Sequence, residues 1–179
     1  RSYLLPELRR RIGYEINMAK AGKEARIILK MNALQDPAMI DELYKASEAG
    51  VKIDLIVRGI CCLIPNQPYS RNIRITRIVD SFLEHARVWY FHHGGKPLLF
   101  MGSPDWMRRN LYRRIEAVTP ILDEDLKQQL IDYAGIQLKD NRKAGWVDEN
   151  LNNVLKRNPK EEPVRAQYAF YEYLKGKNK

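Results

Sequence analysis

A chain of 179 residues, 45% hydrophobic and 30% charged, holds enough apolar material for one domain with a core and is not the composition of a disordered segment. Its 31 lysines and arginines against 22 acidic residues give a formal charge of +9, which points to anionic partners: nucleic acid, nucleotide, phosphate polymer or anionic lipid, with a solubilising surface excess as the plain alternative. No apolar run approaches the ~20 residues of a membrane-spanning helix and no signal peptide is visible. The two cysteines, Cys61 and Cys62, are adjacent, a spacing that suits neither a disulfide framework nor a zinc site, so a reducing, cytoplasmic setting is expected, with peripheral membrane association compatible. The chain opens on Arg1, as a piece of a longer protein would.

Glu7 to Lys20 places Leu8, Ile12, Ile16 and Met18-Ala19 at helical spacing, with Pro6 suited to a first turn and Gly22 as a stop. Ala25 to Met31 reads as a strand. Asp36-Pro37 supplies an N-cap and a first-turn proline for a helix reaching Ala49, closed by Gly50, and Val51 to Val57 is the next strand. Strand, helix and strand with short loops predict a parallel βαβ unit, whose ligands sit at the carboxyl ends of the strands. Lys30 and Asn32 after the first strand and Arg58-Gly59 after the second converge there. A solvated Lys30 and an Arg58 that only finishes a strand are the plain alternative.

Cys61 to Asn72 is a long loop. Asn72 to Thr76 is a short strand and Arg77 to Leu83 a helical turn leading to His85. Arg87 to Phe91 and Pro97 to Met101, joined by His92-His93-Gly94-Gly95-Lys96, form a hairpin in whose Gly-rich turn the two histidines are solvated. Asp105 to Leu111 is a short helix, Arg113 to Ile121 a strand, and Asp123 opens a helix to about Leu138. The polar tail from Lys139 reads as a peripheral extension with one helix over Val164 to Leu174.

The stretch from Phe82 to Glu116 carries the chemistry. His85 has a basic residue two positions on, and in an extended segment His85 and Arg87 share a face. Gly102-Ser103 opens a polar turn, and Arg108, Arg109, Asn110, Arg113 and Arg114 follow. Guanidinium forks match phosphate oxygens bidentately, so a histidine among cations and a small-residue turn is a cradle for phosphate. Spacing alone leaves His85 equally open to a structural role.

These residues resemble the phospholipase D superfamily, whose signature runs H-x-K, hairpin, G-S-x-N, basic-polar helix and a carboxylate on the next strand. Here stand His85-Ala86-Arg87, the hairpin, Gly102-Ser103-Pro104-Asp105 and Glu116, with Arg87 replacing the lysine and Asp105 the asparagine. A closer resemblance covers nearly the whole chain. KMNAL (Lys30 to Leu34), ASEAGVKIDLIVRGICCL (Ala46 to Leu63), NIR-x-x-x-IV (Asn72 to Val79), FLEHAR (Phe82 to Arg87) and DWMRRNLYRRIE (Asp105 to Glu116) are similar to the carboxy-terminal catalytic domain of bacterial polyphosphate kinases. Arg108 and Tyr112 depart from that family's usual proline and aspartate.

The resemblance implies an α/β fold, a phospholipase D-like mixed sheet flanked by helices. It divides the chain into a catalytic domain over residues 1–140 and a C-terminal helical extension over residues 141–179 packed on it, with the upstream domains absent. It implies reversible transfer of the terminal phosphoryl group of ATP to inorganic polyphosphate through a phosphohistidine. The phosphorylated histidine belongs to the preceding domain, and His85 matches the histidine that assists from this one. Arg58 matches an ATP-binding arginine; Lys30, Asn32, Arg109, Arg113 and Arg114 add charge or amide groups for phosphate, and Glu84 or Glu116 orients His85. Mg2+ is the implied metal, its ligands mainly in the upstream domain and none in this chain. ATP/ADP, polyphosphate, the upstream domains and further copies in a homo-oligomer are the implied partners.

With one histidine cassette of the two that such a mechanism needs, the isolated chain is expected to be inactive. Two alternatives stand beside this reading: a phospholipase D-type phosphodiesterase or nuclease completed by dimerisation, and a non-enzymatic polyanion-binding module. Few aromatic residues lie among the basic ones, which counts against nucleic acid.

Overall fold

The computed structural model describes residues 4–177. Its helices are α1 (Leu4–Lys20), α2 (Pro37–Glu48), α3 (Arg108–Tyr112), α4 (Glu124–Lys139) and α5 (Ala166–Lys177). Its strands are β1 (Arg26–Met31), β2 (Lys52–Val57), β3 (Ile73–Ile78), β4 (Val88–Phe91), β5 (Leu98–Gly102), β6 (Val118–Pro120), β7 (Ala144–Val147) and β8 (Asn153–Leu155). They form one sheet in the order β6-β5-β4-β1-β2-β3-β7-β8. β1, β2 and β3 are parallel, and every other pairing is antiparallel.

Side-chain alternation along the strands sorts three layers. Ile27, Leu29, Ile53, Leu55, Ile75, Trp89 and Phe91 form one core with Leu8 and Ile12 of α1 and Met39 and Leu43 of α2. From the opposite face Ile28, Lys30, Val88 and Tyr90 meet Leu130, Tyr133 and Ala134 of α4. Cover on both faces explains why β1 and β2 read as almost unbroken apolar runs. The expected caps form: Asp36 accepts from the Met39 N–H at 3.0 Å, and Gly50 takes the positive φ of 100° that ends the turn after α2. No helix among the described residues is long and apolar enough to cross a membrane, and both cysteines are free.

Four expectations are corrected. Residues 77–83 do not make a helical turn: β3 continues to Ile78, and 79–87 is an irregular loop. Its backbone is held instead by a distant helix, the Phe82 N–H donating to Gln167 at 2.9 Å and the Phe82 carbonyl accepting from it at 2.8 Å. The strand expected over Arg113 to Ile121 is confined to β6, because the Arg113 and Arg114 N–H groups close α3 onto the Arg109 carbonyl at 3.2 and 3.0 Å. Glu116 therefore precedes the strand.

The tail is not helical alone. β7 pairs with β3 in the register Thr76↔Trp146 and β8 pairs with β7, so the tail completes the sheet before α5 packs on α4 through Tyr133 and Phe170, ring centroids 4.8 Å apart. Lys156 pins this edge, its ammonium 2.6 Å from Thr76 Oγ1 and 3.6 Å from the Trp146 ring, and burial pushes that ammonium down to about 8. Finally, His92 and His93 are not free in solvent. The His93 ring lies 4.2 Å from that of Tyr14, the His93 backbone N–H donates to buried Glu15 at 2.7 Å, and His92 Nδ1 meets the Tyr90 hydroxyl at 3.3 Å, so the hairpin turn is docked on α1.

Candidate functional site

The three parallel strands end at one edge of the sheet, where β4 begins and β5 finishes. Asn32, Arg58, His85, Arg87, Ser103 and Asp105 collect there, where the ligands of such sheets bind. Trp106 sets this edge. Its ring is fully buried and edge-on to Trp89 at 6.0 Å, while its backbone carbonyl accepts the Gln35 and Asp36 N–H groups at 2.8 and 2.9 Å and its backbone N–H donates to the Ala33 carbonyl at 3.1 Å. The segment after β5 is thereby fastened to the end of β1, with Asp105 turned inward.

The Asp105 carboxylate, 8% exposed, accepts the Asn32 and Ala33 N–H groups at 2.8 and 3.2 Å. Both its oxygens also bind the Arg87 guanidinium, at 3.2 and 3.1 Å. The remaining arm of Arg87 donates to the His85 carbonyl at 3.0 Å and lies 3.1 Å from His85 Nδ1. A guanidinium only donates, so Nδ1 accepts and Nε2–H is left as the donor of an exposed imidazole. The two departures from the phospholipase D signature, Arg87 for lysine and Asp105 for asparagine, are thus the two halves of one ion pair. Sequence reading missed this pairing, and the paired departures were its only trace.

Neither expected carboxylate orients His85. Glu84 turns inward, taking Lys30 at 3.2 Å, the Tyr133 hydroxyl and Gln137 at 3.0 Å each, and Gln167 at 3.0 Å. Glu116 accepts from Ser103 Oγ and, at 2.6 Å, from Asn110. Arg87 holds the imidazole instead.

Burial pushes the Glu84 carboxyl up, but Lys30 and the three hydrogen-bond donors outweigh it and hold the group below its ordinary value. Burial pushes the Lys30 ammonium down against the pull of Glu84, with Arg58 and Arg87 close enough to push it further. A carboxyl lowered in the folded state stabilises above its unfolded value and loses that contribution as pH falls through its folded value. Glu84→Gln is therefore expected to be less stable than the parent at neutral pH and to converge with it on acidification. Thermal unfolding at a series of pH values checks this; parallel curves would show that Glu84 is not the group responsible.

Lys30 is 3% exposed and neutralised by Glu84, so it stands behind the site and does not meet solvent as an open cation. Asn32 is 8% exposed, with its amide nitrogen 3.5 Å from the His85 carbonyl and its amide oxygen buried without a partner. Arg58, half-buried, forms no ion pair among the described residues. The turn that carries it needs Gly59, because a Cβ there would stand 2.8 Å from the Asn32 carbonyl oxygen. Arg109 is exposed on α3. Arg113 and Arg114 face a groove of about 880 Å³ shared with Glu7 and Arg10 of α1, next to the His85 row and separate from it apart from Glu116.

No group of three or more His, Cys, Asp or Glu side chains that could hold a metal comes together among the described residues. Glu84, Asp105 and Glu116 are all occupied by donors, so these residues do not fit a resident magnesium ion.

Residues 3–167 match the profile of the family described as polyphosphate kinase C-terminal domain 2. The chain belongs to that family. Its relatives include the polyphosphate kinases of Vibrio cholerae serotype O1, 47% identical over 97% of this chain and 25% of the relative, and of Escherichia coli K12, 44% identical over 95% and 26%. The crystal structure of polyphosphate kinase from Porphyromonas gingivalis superimposes with a TM-score of 0.93 at 58% identity, covering 94% of this chain and 26% of that one. This polyphosphate kinase domain thus spans about a quarter of the length of the relatives it matches. NucT from Helicobacter pylori (TM-score 0.52, 14% identity, 75% of this chain and 92% of that one) shares the fold, as does Nuc, a phospholipase D family member from Salmonella typhimurium (0.50, 13%, 69% and 84%). The expected phospholipase D-like α/β fold is the one observed.

Proposed function

We propose that this domain supplies one half of the active site of an ATP:polyphosphate phosphotransferase. The terminal phosphoryl group of ATP passes to a histidine outside this chain, breaking the bond to the bridging β–γ oxygen and forming a P–N bond. It then passes from that nitrogen to the terminal oxygen of inorganic polyphosphate, and both steps are reversible. The observation that supports this reading above others is the Asp105–Arg87–His85 row at the strand ends, on the same edge as Arg58, which forms no ion pair among the described residues. Phosphoryl transfer spreads negative charge over three equatorial oxygens, so catalysis consists of positioning and of donors fixed before the reaction begins. His85 Nε2–H donates to the leaving or bridging oxygen, and Arg58 grips phosphate bidentately. Arg87, already bound to Asp105, positions the imidazole. Asn32 lends its amide, Lys30 acts from behind through Glu84, and Arg109, Arg113 and Arg114 are outer cations for the approaching polymer. Magnesium enters with ATP and with ligands of the longer, cytoplasmic, homo-oligomeric protein.

The isolated chain is expected not to transfer phosphate. Incubation with magnesium and ATP labelled on its terminal phosphate, followed by analysis for acid-labile phosphohistidine, tests this. No label on the chain alone, but label and polymer from the full-length protein, is the expected pattern. Labelling of the isolated chain at His85 would make His85 the nucleophile and overturn the assignment. Metal-free hydrolysis of a bis-aryl phosphodiester would favour the phosphodiesterase reading that the Nuc-like fold leaves open.

A further inference from the structure

Beyond the His85 row, the same edge of the sheet carries a second basic feature, built by a buried acid. Asp140 is 1% exposed. One of its oxygens accepts the N–H groups of Arg142, Lys143 and Ala144 at 2.9, 2.7 and 2.9 Å, and the other accepts the Ala166 N–H at 2.7 Å. Four backbone donors on one carboxylate fix the turn between α4 and β7 against the start of α5. The side chains left at the surface are Arg142, Lys143 and Arg165, which with Arg157 and Pro163 line a hollow of about 580 Å³. Arg165 is matched to Asp80 at 2.6 Å. Arg142, Lys143 and Arg157 are exposed and form no ion pair among the described residues. With Asp80 as the carboxylate bonded to Arg165, the cations around this concavity leave an excess of positive charge that an anion would relieve. None of the five lining residues is aromatic, so the hollow offers no base-stacking face and suits a phosphate chain better than a nucleic acid.

Its position ties it to the His85 row. Ala144 pairs with Ile78, so the hollow opens at the carboxyl end of β3, on the edge where β1 and β2 present Asn32 and Arg58. From β1 to β7 is three strand spacings, about 14 Å. The loop that carries His85 runs between the two, with Asp80 bonded to Arg165 and its carboxyl held low by Arg165 and also by Lys143.

We propose that this hollow is a second subsite for inorganic polyphosphate, gripping the polymer several phosphates away from the end that reacts at His85. This rests on the kinase reading above. A long chain engages both subsites at once and gains from effective concentration, whereas ATP or tripolyphosphate occupies one at a time.

The test compares Arg142→Glu/Arg157→Glu with an equal charge reversal on α1, Arg9→Glu/Lys20→Glu, leaving Arg165 in place because it holds Asp80. Binding of the 179-residue chain to long-chain polyphosphate, to tripolyphosphate and to oligo(dT) is measured directly, and KM for ATP is measured in the full-length enzyme. The hollow variant is expected to bind long-chain polyphosphate about tenfold or more weakly, with tripolyphosphate binding and the KM for ATP unchanged. The α1 variant is expected to lose less than about threefold, the share owed to net charge. Equal losses in both variants, an equal loss for short and long phosphate, or no loss would overturn the subsite. Tighter binding of oligo(dT) than of polyphosphate through the same residues would overturn its assignment to phosphate polymer. A full-length enzyme that makes no polymer from ATP would instead refute the kinase reading, and the binding measurements would still decide whether the hollow holds polyphosphate.

Discussion

Replacing His85 by alanine in the full-length enzyme is expected to leave the fold intact and to lower phosphoryl transfer about 10²- to 10⁴-fold, the range a positioned proton donor contributes. His85 is exposed, and its ring touches the rest of the domain through Arg87, which keeps both its bonds to Asp105 when the imidazole is removed. Far-UV circular dichroism and Tm should therefore stay at the parent values. With Arg58 as the proposed phosphate grip left in place, kcat should fall while the KM for ATP changes little. His85→Gln, whose amide can present an N–H near the position of Nε2–H, should recover part of the loss. An unchanged kcat in the alanine variant would remove His85 from the reaction.

Asp105→Ala should produce the largest loss of stability. It removes the acceptor of two backbone N–H groups and leaves the Arg87 guanidinium, its side chain 13% exposed, without a counter-charge. Breaking a buried pair from one side costs about 3–5 kcal/mol. In a chain of this length that lowers Tm by roughly 10 °C. Asp105→Asn keeps an oxygen for Asn32 and Ala33 and should lie between the two. Removing both charges, with Asp105→Ala/Arg87→Met, should be less harmful than the sum of the single changes, because no unpaired charge is left inside. Thermal and urea unfolding of Asp105→Ala, Asp105→Asn, Arg87→Met and the double variant checks this. Additive losses would mean that Arg87 and Asp105 do not act as a pair.

The unit β1–α2–β2 was legible because local signals agree: Asp36 and Pro37 open the helix, Gly50 ends it, and the apolar runs on either side suit strands covered on both faces. The hairpin was legible for the same reason. β7 and β8 were not, since four and three residues that include Gly145 and Asn153 carry no periodic pattern and become strands only beside β3. Arg77 to Leu83 reads as a helical turn but is the end of β3 and an irregular loop, because what holds that loop, Arg165 and Gln167, lies about 85 residues further along. In the site, His85 and Arg58 stood out by residue type and family likeness. The inward turn of Glu84, the capture of Lys30 and the Arg87–Asp105 pair are tertiary facts that spacing does not encode.

The fastening of the His85 loop to the start of α5 also sets an order of events during synthesis. Arg165 and Gln167 leave the ribosome several seconds after His85, at about 5–20 residues per second. Until then Asp80 and Phe82 lack the Arg165 and Gln167 contacts that hold them in the folded domain, and Glu84 lacks one of its four partners. For a shorter interval, until β7 is made, β3 has an open edge, the geometry that pairs with a neighbouring chain. A chain ending at Pro120 would thus carry the whole His85-to-Glu116 stretch and still lack Tyr133, Gln137 and Gln167, three of the four groups that hold Glu84.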